Sequence, residues 1–443
     1  MNFKVGMVSL GCEKNRVDAE MLLHSLRERG FTLVEDVADA DVAIVNTCGF
    51  IESAKQESIE EIIELGKLKD EGKIKKIIAT GCLAQRYKEE ISQNLPEVDA
   101  VVGIGANENI ADIVEQVLAD EKVETFPDNL LLPLDGKRIQ STPQYYAYIK
   151  IAEGCSNCCT YCAIPMIRGK FRSRKMENII SEATELANNG VKELIVIAQD
   201  TTKYGTDLYG EPSLAKLLKE LCKIDGFKWI RVLYCYPENL TDELIDTIAT
   251  EEKIVKYIDL PLQHCTQSVL ERMNRKGSIE ELKEKINKLR AKVPNITIRT
   301  TFITGFPGET EEDFNALAEF AKEMKFQRLG CFAYSQEENT KAATFPDQID
   351  EEIKQKRADI IMEQQQLIMD EYCNQLLGQT VEVLCEGFDR YAECFFGRTQ
   401  GDCPEVDGVV FFSAPDRRPQ AGEFVKVKID DYLGCDPIGE MIE

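Results

Sequence analysis

Histidine is nearly absent from this sequence: His24 and His264 are the only two among 443 residues. A histidine-rich metal site is therefore excluded, and any metal has to be held by sulfur. Long apolar runs are missing too, since none approaches the roughly 18 residues needed to cross a bilayer. The first residues, MNFKVGMVSLGC, lack the basic start and small-residue cleavage site of a signal peptide, so a cytoplasmic location is expected. Basic residues are the third shortage, 53 against 78 acidic ones, for a net charge of −25. Such a surface repels a phosphate backbone unless basic side chains are locally concentrated, which disfavours nucleic acid as a partner.

Cysteine, in contrast, is plentiful at sixteen. In a chain this long, kept reduced in the cytosol, these cannot form a disulfide framework. Some are core residues, because a free cysteine behaves as a small hydrophobe. The others are candidates for metal or redox chemistry.

The chain divides by pattern into three parts, with expected domains at 1–137, 138–375 and 376–443. In the first, the strands 3–10, 41–46, 75–80 and 99–105 alternate with helices, as at 15–30 and 53–69, which implies a parallel sheet with crossover connections. Residues 120–144, with three prolines and no periodicity, read as a linker. Six further strands follow, near 145–151, 192–198, 228–234, 256–260, 296–303 and 326–334, separated by helical stretches. They suggest a partial (β/α)6 barrel with its reactive residues on the loops after the strands. A charged, Gln-rich connecting helix is expected over 347–377, and beyond Gly378 short strands spaced by Gly, Asp and Pro predict a small antiparallel β-barrel.

Three strands of the first part run directly into a cysteine: SLGC at Cys12, NTC at Cys48 and ATGC at Cys82. Strand C-termini of a parallel sheet share one edge, where open α/β folds place their ligands, so these thiols converge. Three buried cysteines without a role would also satisfy the pattern, but the repeated strand-to-loop position argues against it.

The stretch GCSNCCTYC (154–162) holds four more cysteines. Read as two CxxC knuckles it suggests zinc, but no residues separate the knuckles to let the chain wrap around an ion, and adjacent side chains such as Cys158 and Cys159 point in different directions. Read as CxxxCxxC, one loop supplies Cys155, Cys159 and Cys162. Three thiolates on an iron–sulfur cube leave one iron with an open coordination position.

At these residues the chain resembles the radical S-adenosylmethionine (radical SAM) superfamily, whose loop is CxxxCx(aromatic)C with Tyr161 here in the aromatic place. The resemblance implies that the open iron binds S-adenosylmethionine, whose reductive cleavage gives a 5′-deoxyadenosyl radical. TFITGFPGET (301–310) looks like the superfamily's glycine-rich cofactor segment, making Gly305, Gly308 and Glu309 candidate contacts, although a plain βα turn would read the same way. Asp200, Gln263 and His264 stand at strand ends where cofactor contacts also fall, or where polar residues cap helices.

The layout as a whole resembles the radical SAM methylthiotransferases. By that resemblance Cys12, Cys48 and Cys82 hold an auxiliary [4Fe–4S] cluster beside the radical SAM [4Fe–4S] cluster, and an electron donor such as flavodoxin or ferredoxin is an expected partner. One branch of the family modifies an adenosine in tRNA, and another the β-carbon of an aspartate in small-subunit ribosomal protein twelve, free or on the subunit. The stretches VSLGCEKNRVDAE, NTCGFIESAKQES, AYIKIAEGC, AIPMIRGKFRSR and AQDTTKYG look like the second branch. Charge agrees: the C-terminal barrel, which resembles an RNA-holding TRAM domain, carries 14 acidic against 6 basic residues over 376–443. An acidic domain suits a basic ribosomal protein rather than tRNA. An iron–sulfur electron carrier or sensor without radical chemistry is the alternative of a different class.

Two features stay open at this level. Arg168, Lys170, Arg172, Arg174 and Lys175 form a local basic cluster, read either as an anion contact or as a solvated loop. Cys158 is a spare thiol able to act as a surrogate ligand.

Overall fold

The computed structural model describes residues 3–442, so the outermost residues of the first and third expected domains lie outside the described residues. The N-terminal part is a six-stranded parallel sheet of β1 (Lys4–Ser9), β2 (Thr32–Val34), β3 (Val42–Thr47), β4 (Lys76–Gly81), β5 (Ala100–Val102) and β6 (Val123–Thr125). Their spatial order is β2-β1-β3-β4-β5-β6. All six residues of β3, VAIVNT, are buried, as a central strand covered by helices on both faces requires. β2 and β6 are additions to the sequence reading. In particular, β6 lies inside the stretch read as a linker, whose first residues instead pair with β5 and complete the sheet.

The central part contains the six expected parallel strands: β7 (Tyr146–Lys150), β10 (Glu193–Ile197), β11 (Trp229–Val232), β12 (Tyr257–Asp259), β13 (Thr297–Thr304) and β14 (Arg328–Ala333). Between β7 and β10 a two-residue pair, β8 (Ala152–Glu153) and β9 (Arg172–Ser173), closes the base of the cysteine loop. The barrel is open: β7, β10 and β11 form one sheet and β12, β13 and β14 another, and the bridge Ile230–Ile254 links β11 to the segment leading into β12. One apolar core fills it, from Ile149 on β7 to Phe302 on β13. The helix Glu351–Leu376 packs on β13 and β14 and leads to the last part.

That part is a closed five-stranded barrel of β15 (Thr380–Asp389), β16 (Cys394–Arg398), β17 (Val410–Ser413), β18 (Phe424–Leu433) and β19 (Asp436–Met441). Its pairings are antiparallel except β17 with β19, which is parallel. Buried ion pairs fasten it to the central barrel: Glu193 on β10 accepts from Arg398 on β16 (2.8 Å) and from Arg231 on β11 (2.7 Å). Among the described residues, no helix is long and apolar enough to cross a membrane.

Candidate metal centre and cofactor site

β1, β3 and β4 are consecutive neighbours, and each delivers one thiol to the same edge of the sheet. Cys12 caps the helix Glu13–Arg29, Cys48 directly follows β3, and Cys82 opens the helix Cys82–Arg86 directly after β4. The loops close tightly because glycine precedes two of the thiols. Gly11 has φ +87°, and a Cβ there would stand 2.7 Å from Cys48 Cβ; Gly81 has φ +94°, and a Cβ there would stand 2.5 Å from the Thr47 carbonyl oxygen. Asn15 ties two of the loops together by donating to the carbonyls of Leu10 (2.7 Å) and Thr47 (3.3 Å). Thr47 Oγ1 donates in turn to the Thr80 carbonyl (2.5 Å). Burial pushes the Cys82 thiol up to about 12, with Arg168 pulling against it and Cys12 and Cys48 adding to the rise.

Among the described residues, no three His, Cys, Asp or Glu side chains gather tightly enough to hold a single ion. Adjacent strands lie about 4.8 Å apart, so thiols at three successive strand ends are spaced on the scale of an iron–sulfur cube. An all-sulfur donor set, two of whose thiols are buried, suits that group.

The second triad sits on the loop after β7 and β8. Cys155 N donates to the Gly169 carbonyl (3.1 Å), and Cys162 N donates to the Cys159 carbonyl (3.0 Å). Thr160 anchors the loop to the opposite side of the barrel mouth, giving hydrogen bonds to the carbonyls of Met273 (3.0 Å) and Arg272 (2.8 Å). Burial is the main cause that raises Cys155 to about 11 and Cys162 to about 12, with the neighbouring Cys159 contributing to both rises. Cys159 Sγ lies 2.7 Å from the Tyr236 hydroxyl. Tyr161 turns inward, edge-on to Phe306, whereas Cys158 is exposed with φ +54° and its carbonyl accepts from Asn274 (3.0 Å).

The other candidates support this loop or the turn facing it. Asp200 is buried, accepts from Asn157 in the cysteine loop (2.8 Å), and has its carboxyl raised by that burial. Gly305 and Gly308 both have positive φ and no room for a side chain: added Cβ atoms would stand 2.2 Å from Lys354 and from the Arg272 guanidinium. Glu309 braces the turn, accepting from Gly305 N (2.9 Å) and from Arg357 on the helix Glu351–Leu376 (2.6 Å), with His264 Nε2 3.5 Å away. Gln263 takes φ +70°.

The two triads meet at the domain junction. Cys82 shares one small apolar cluster with Ala163 and Ile167, the first of which follows Cys162 in the chain. Beneath them lies a buried charge network in which Lys150 on β7 pairs with Asp18 and with Glu153 on β8 (2.7 Å). Arg168 pairs with the same Asp18 and with Glu153 (3.3 Å), and its Nη2 donates to Asn15 Oδ1 (3.1 Å) and to Cys82 Sγ (3.3 Å). On the other flank, Tyr234 donates to Glu13 (2.8 Å) beside Cys12, with the Lys14 ammonium 3.1 Å from its ring centre. Tyr234 and Tyr236 thus reach from one short segment to both triads.

The basic cluster of the sequence reading is therefore split by the fold. Lys170 and Lys175 are exposed, but Arg168 and Arg174 are buried in ion pairs. Sequence reasoning did not single out Asn15, Asp18, Lys150, Glu153, Tyr234 or Tyr236. For Lys150 and Glu153 a signal was present, since charges in the otherwise apolar run YIKIAEG call for buried partners.

Three family models match in chain order: Uncharacterized protein family UPF0004 over residues 4–103, the Radical SAM superfamily over 149–321 and the TRAM domain over 377–442. Among solved structures, the radical S-adenosylmethionine methyltransferase TsrM from Kitasatospora setae matches with a TM-score of 0.57 at 13% identity, covering 74% of this chain and 73% of that one, a likeness of fold. Fold and cysteine loop together define a radical SAM protein with an appended TRAM domain. Ribosomal protein uS12 methylthiotransferase RimO of Clostridioides difficile is 51% identical over 440 residues, 99% of each chain. Its namesake in Thermoanaerobacter sp. is 51% identical over 437 residues, 98% of this chain and 99% of that one. The chain belongs to this RimO family of methylthiotransferases.

Proposed function

We propose that this chain inserts a methylthio group at the β-carbon of an aspartate in ribosomal protein uS12, working in the cytoplasm on the free protein or the assembled subunit. Its family makes it an S-adenosylmethionine-dependent methylthiotransferase that uses [4Fe–4S] clusters. Cys155, Cys159 and Cys162 would hold the radical SAM cluster, and Cys12, Cys48 and Cys82 the auxiliary one. When bound, these groups supply one-electron reduction of S-adenosylmethionine and the sulfur to be transferred.

The observation that carries this reading is the bond from Arg168, on the helix after the barrel cysteines, to Cys82 Sγ (3.3 Å), with Cys82, Ala163 and Ile167 in one apolar cluster; it supports placing the two proposed clusters near one junction. Breaking an unactivated C–H bond and delivering sulfur to the same carbon requires such proximity, because misplacement by an ångström costs orders of magnitude in rate. The chain's residues enforce it in three ways. Asp200 and Thr160 fix the cysteine loop in the barrel mouth. Gly305 and Gly308 keep the facing turn close, with Glu309 bracing it from within. The Asp18–Lys150–Glu153–Arg168 network locks the N-terminal sheet to the barrel.

The domains would divide the work, with 1–137 carrying the auxiliary cluster, 138–375 the radical chemistry and 376–443 holding a basic protein substrate. An acidic C-terminal barrel favours that substrate over tRNA. A low-potential carrier such as flavodoxin or ferredoxin would supply the electrons.

An anaerobic reaction of the reconstituted protein with S-adenosylmethionine and dithionite, offered uS12 and tRNA in parallel and read by mass spectrometry, tests the proposal. A methylthio adduct on a uS12 aspartate is expected. An adduct confined to tRNA would overturn the substrate assignment.

A further inference from the structure

Arg168 occupies a position that the assigned roles do not explain. It follows the radical SAM cysteines on the short helix Ile164–Arg168, yet its guanidinium crosses the domain junction and donates to Sγ of Cys82 in the other triad (3.3 Å). The side chain is 2% exposed. Nη1 is held by Asp18 and Glu153 and Nη2 also by Asn15, so the planar fork cannot swing away from the sulfur without breaking those bonds. Lys150 offers an internal contrast: it pairs with the same two carboxylates, and among the described residues it makes no hydrogen bond to a cysteine sulfur.

We infer that Arg168 is a positioning residue for the auxiliary cluster, setting the orientation of Cys82 and raising the reduction potential of the cluster it binds. This rests on the assignment of Cys12, Cys48 and Cys82 as that cluster's ligands. A cationic N–H donor at a cluster sulfur stabilises the reduced, more negative state, and hydrogen bonds to the sulfurs are among the levers by which proteins tune such potentials. Buried in low dielectric, the interaction is stronger than at a surface. Because Arg168 is anchored on the radical SAM loop, it also makes the auxiliary site's electronics depend on that loop's placement.

The test uses the full chain carrying Cys155→Ala, Cys159→Ala and Cys162→Ala, so that only the auxiliary cluster is present. Iron content is measured, and the reduction potential is followed anaerobically by electron paramagnetic resonance. Adding Arg168→Gln should shift the potential to a more negative value with iron retained. Arg168→Lys should recover part of that shift, and Lys150→Gln should shift it less than Arg168→Gln. An unchanged potential in R168Q, or equal shifts in R168Q and K150Q, would overturn the inference and leave Arg168 a plain domain clamp. If R168Q does not fold, R168K carries the test: a displaced potential supports the role and a wild-type one overturns it. A background variant that folds but holds no iron would sink the ligand assignment itself, and the inference with it.

Discussion

In the barrel three thiols come from a single loop, Cys155 to Cys162, while in the N-terminal domain they come from three separate strands. The barrel loop is local in sequence but is held by distant partners, with Thr160 bonded to Arg272 and Met273, Asn157 to Asp200, and the Cys158 carbonyl to Asn274. The N-terminal triad is distant in sequence but is held by its own sheet, because parallel register between β1, β3 and β4 already aligns the strand ends. One site is thus nucleated by its motif and fixed by tertiary contacts. The other exists only once the sheet has formed, and its remaining demand is for tight turns at the thiols.

The largest effect should come from separating the two sites. Cys155→Ala is expected to abolish deoxyadenosine formation while leaving the auxiliary iron in place. Cys48→Ala should abolish methylthio transfer while S-adenosylmethionine cleavage continues. Chromatography of deoxyadenosine alongside mass spectrometry of uS12 reads both. Loss of cleavage in both variants would mean that the sites do not form independently.

A turn substitution breaks the N-terminal triad without replacing a ligand. Gly11→Ala places a side chain at φ +87° with its Cβ 2.7 Å from Cys48 Cβ. The backbone strain alone costs about 1–3 kcal/mol. Iron per chain should fall from about eight to about four, since each cube carries four. The barrel triad should be unaffected, and full iron retention would refute the role given to this turn.

Thr160→Val probes the barrel triad in the same way. It removes the 2.8 Å hydrogen bond to the Arg272 carbonyl at a buried position. The cost is about 1–2 kcal/mol. S-adenosylmethionine cleavage should drop several-fold with the auxiliary iron intact, whereas an equal loss from both sites would show that the loop is not held separately.

Both triads were legible in the sequence to different depths. The strand-then-cysteine pattern at Cys12, Cys48 and Cys82 announced convergence because parallel topology follows from alternating strands and helices. β2, β5 and β6 have three residues each, too short to carry a period, so β2 and β6 escaped notice and β6 was absorbed into a linker. The parallel closure of β17 on β19 depends on a strand pairing that no local signal specifies. Glu309 illustrates a different limit. Its place in a glycine-rich turn pointed to the cofactor, and no local signal announced that its carboxylate also accepts from Gly305 N and from Arg357, which approaches from the distant helix Glu351–Leu376. Arg168 looked like one of five equivalent cations, and only the docking of two domains separates it from the exposed Lys170.

The smallest effect concerns the fourth cysteine of the barrel loop. Cys158 is exposed and left-handed at φ +54°, a conformation that glycine adopts without steric cost, and its carbonyl is fixed by Asn274. Cys158→Gly relieves that strain, while the freer unfolded chain offsets part of the gain, so stability should change by less than about 1 kcal/mol. Iron content and S-adenosylmethionine cleavage should match the wild type, with thermal unfolding and iron analysis as the checks. A cluster lost on this substitution would mean that the loop binds through a thiol outside the CxxxCxxC set, and the contrast between one local and one assembled triad would have to be redrawn around Cys158.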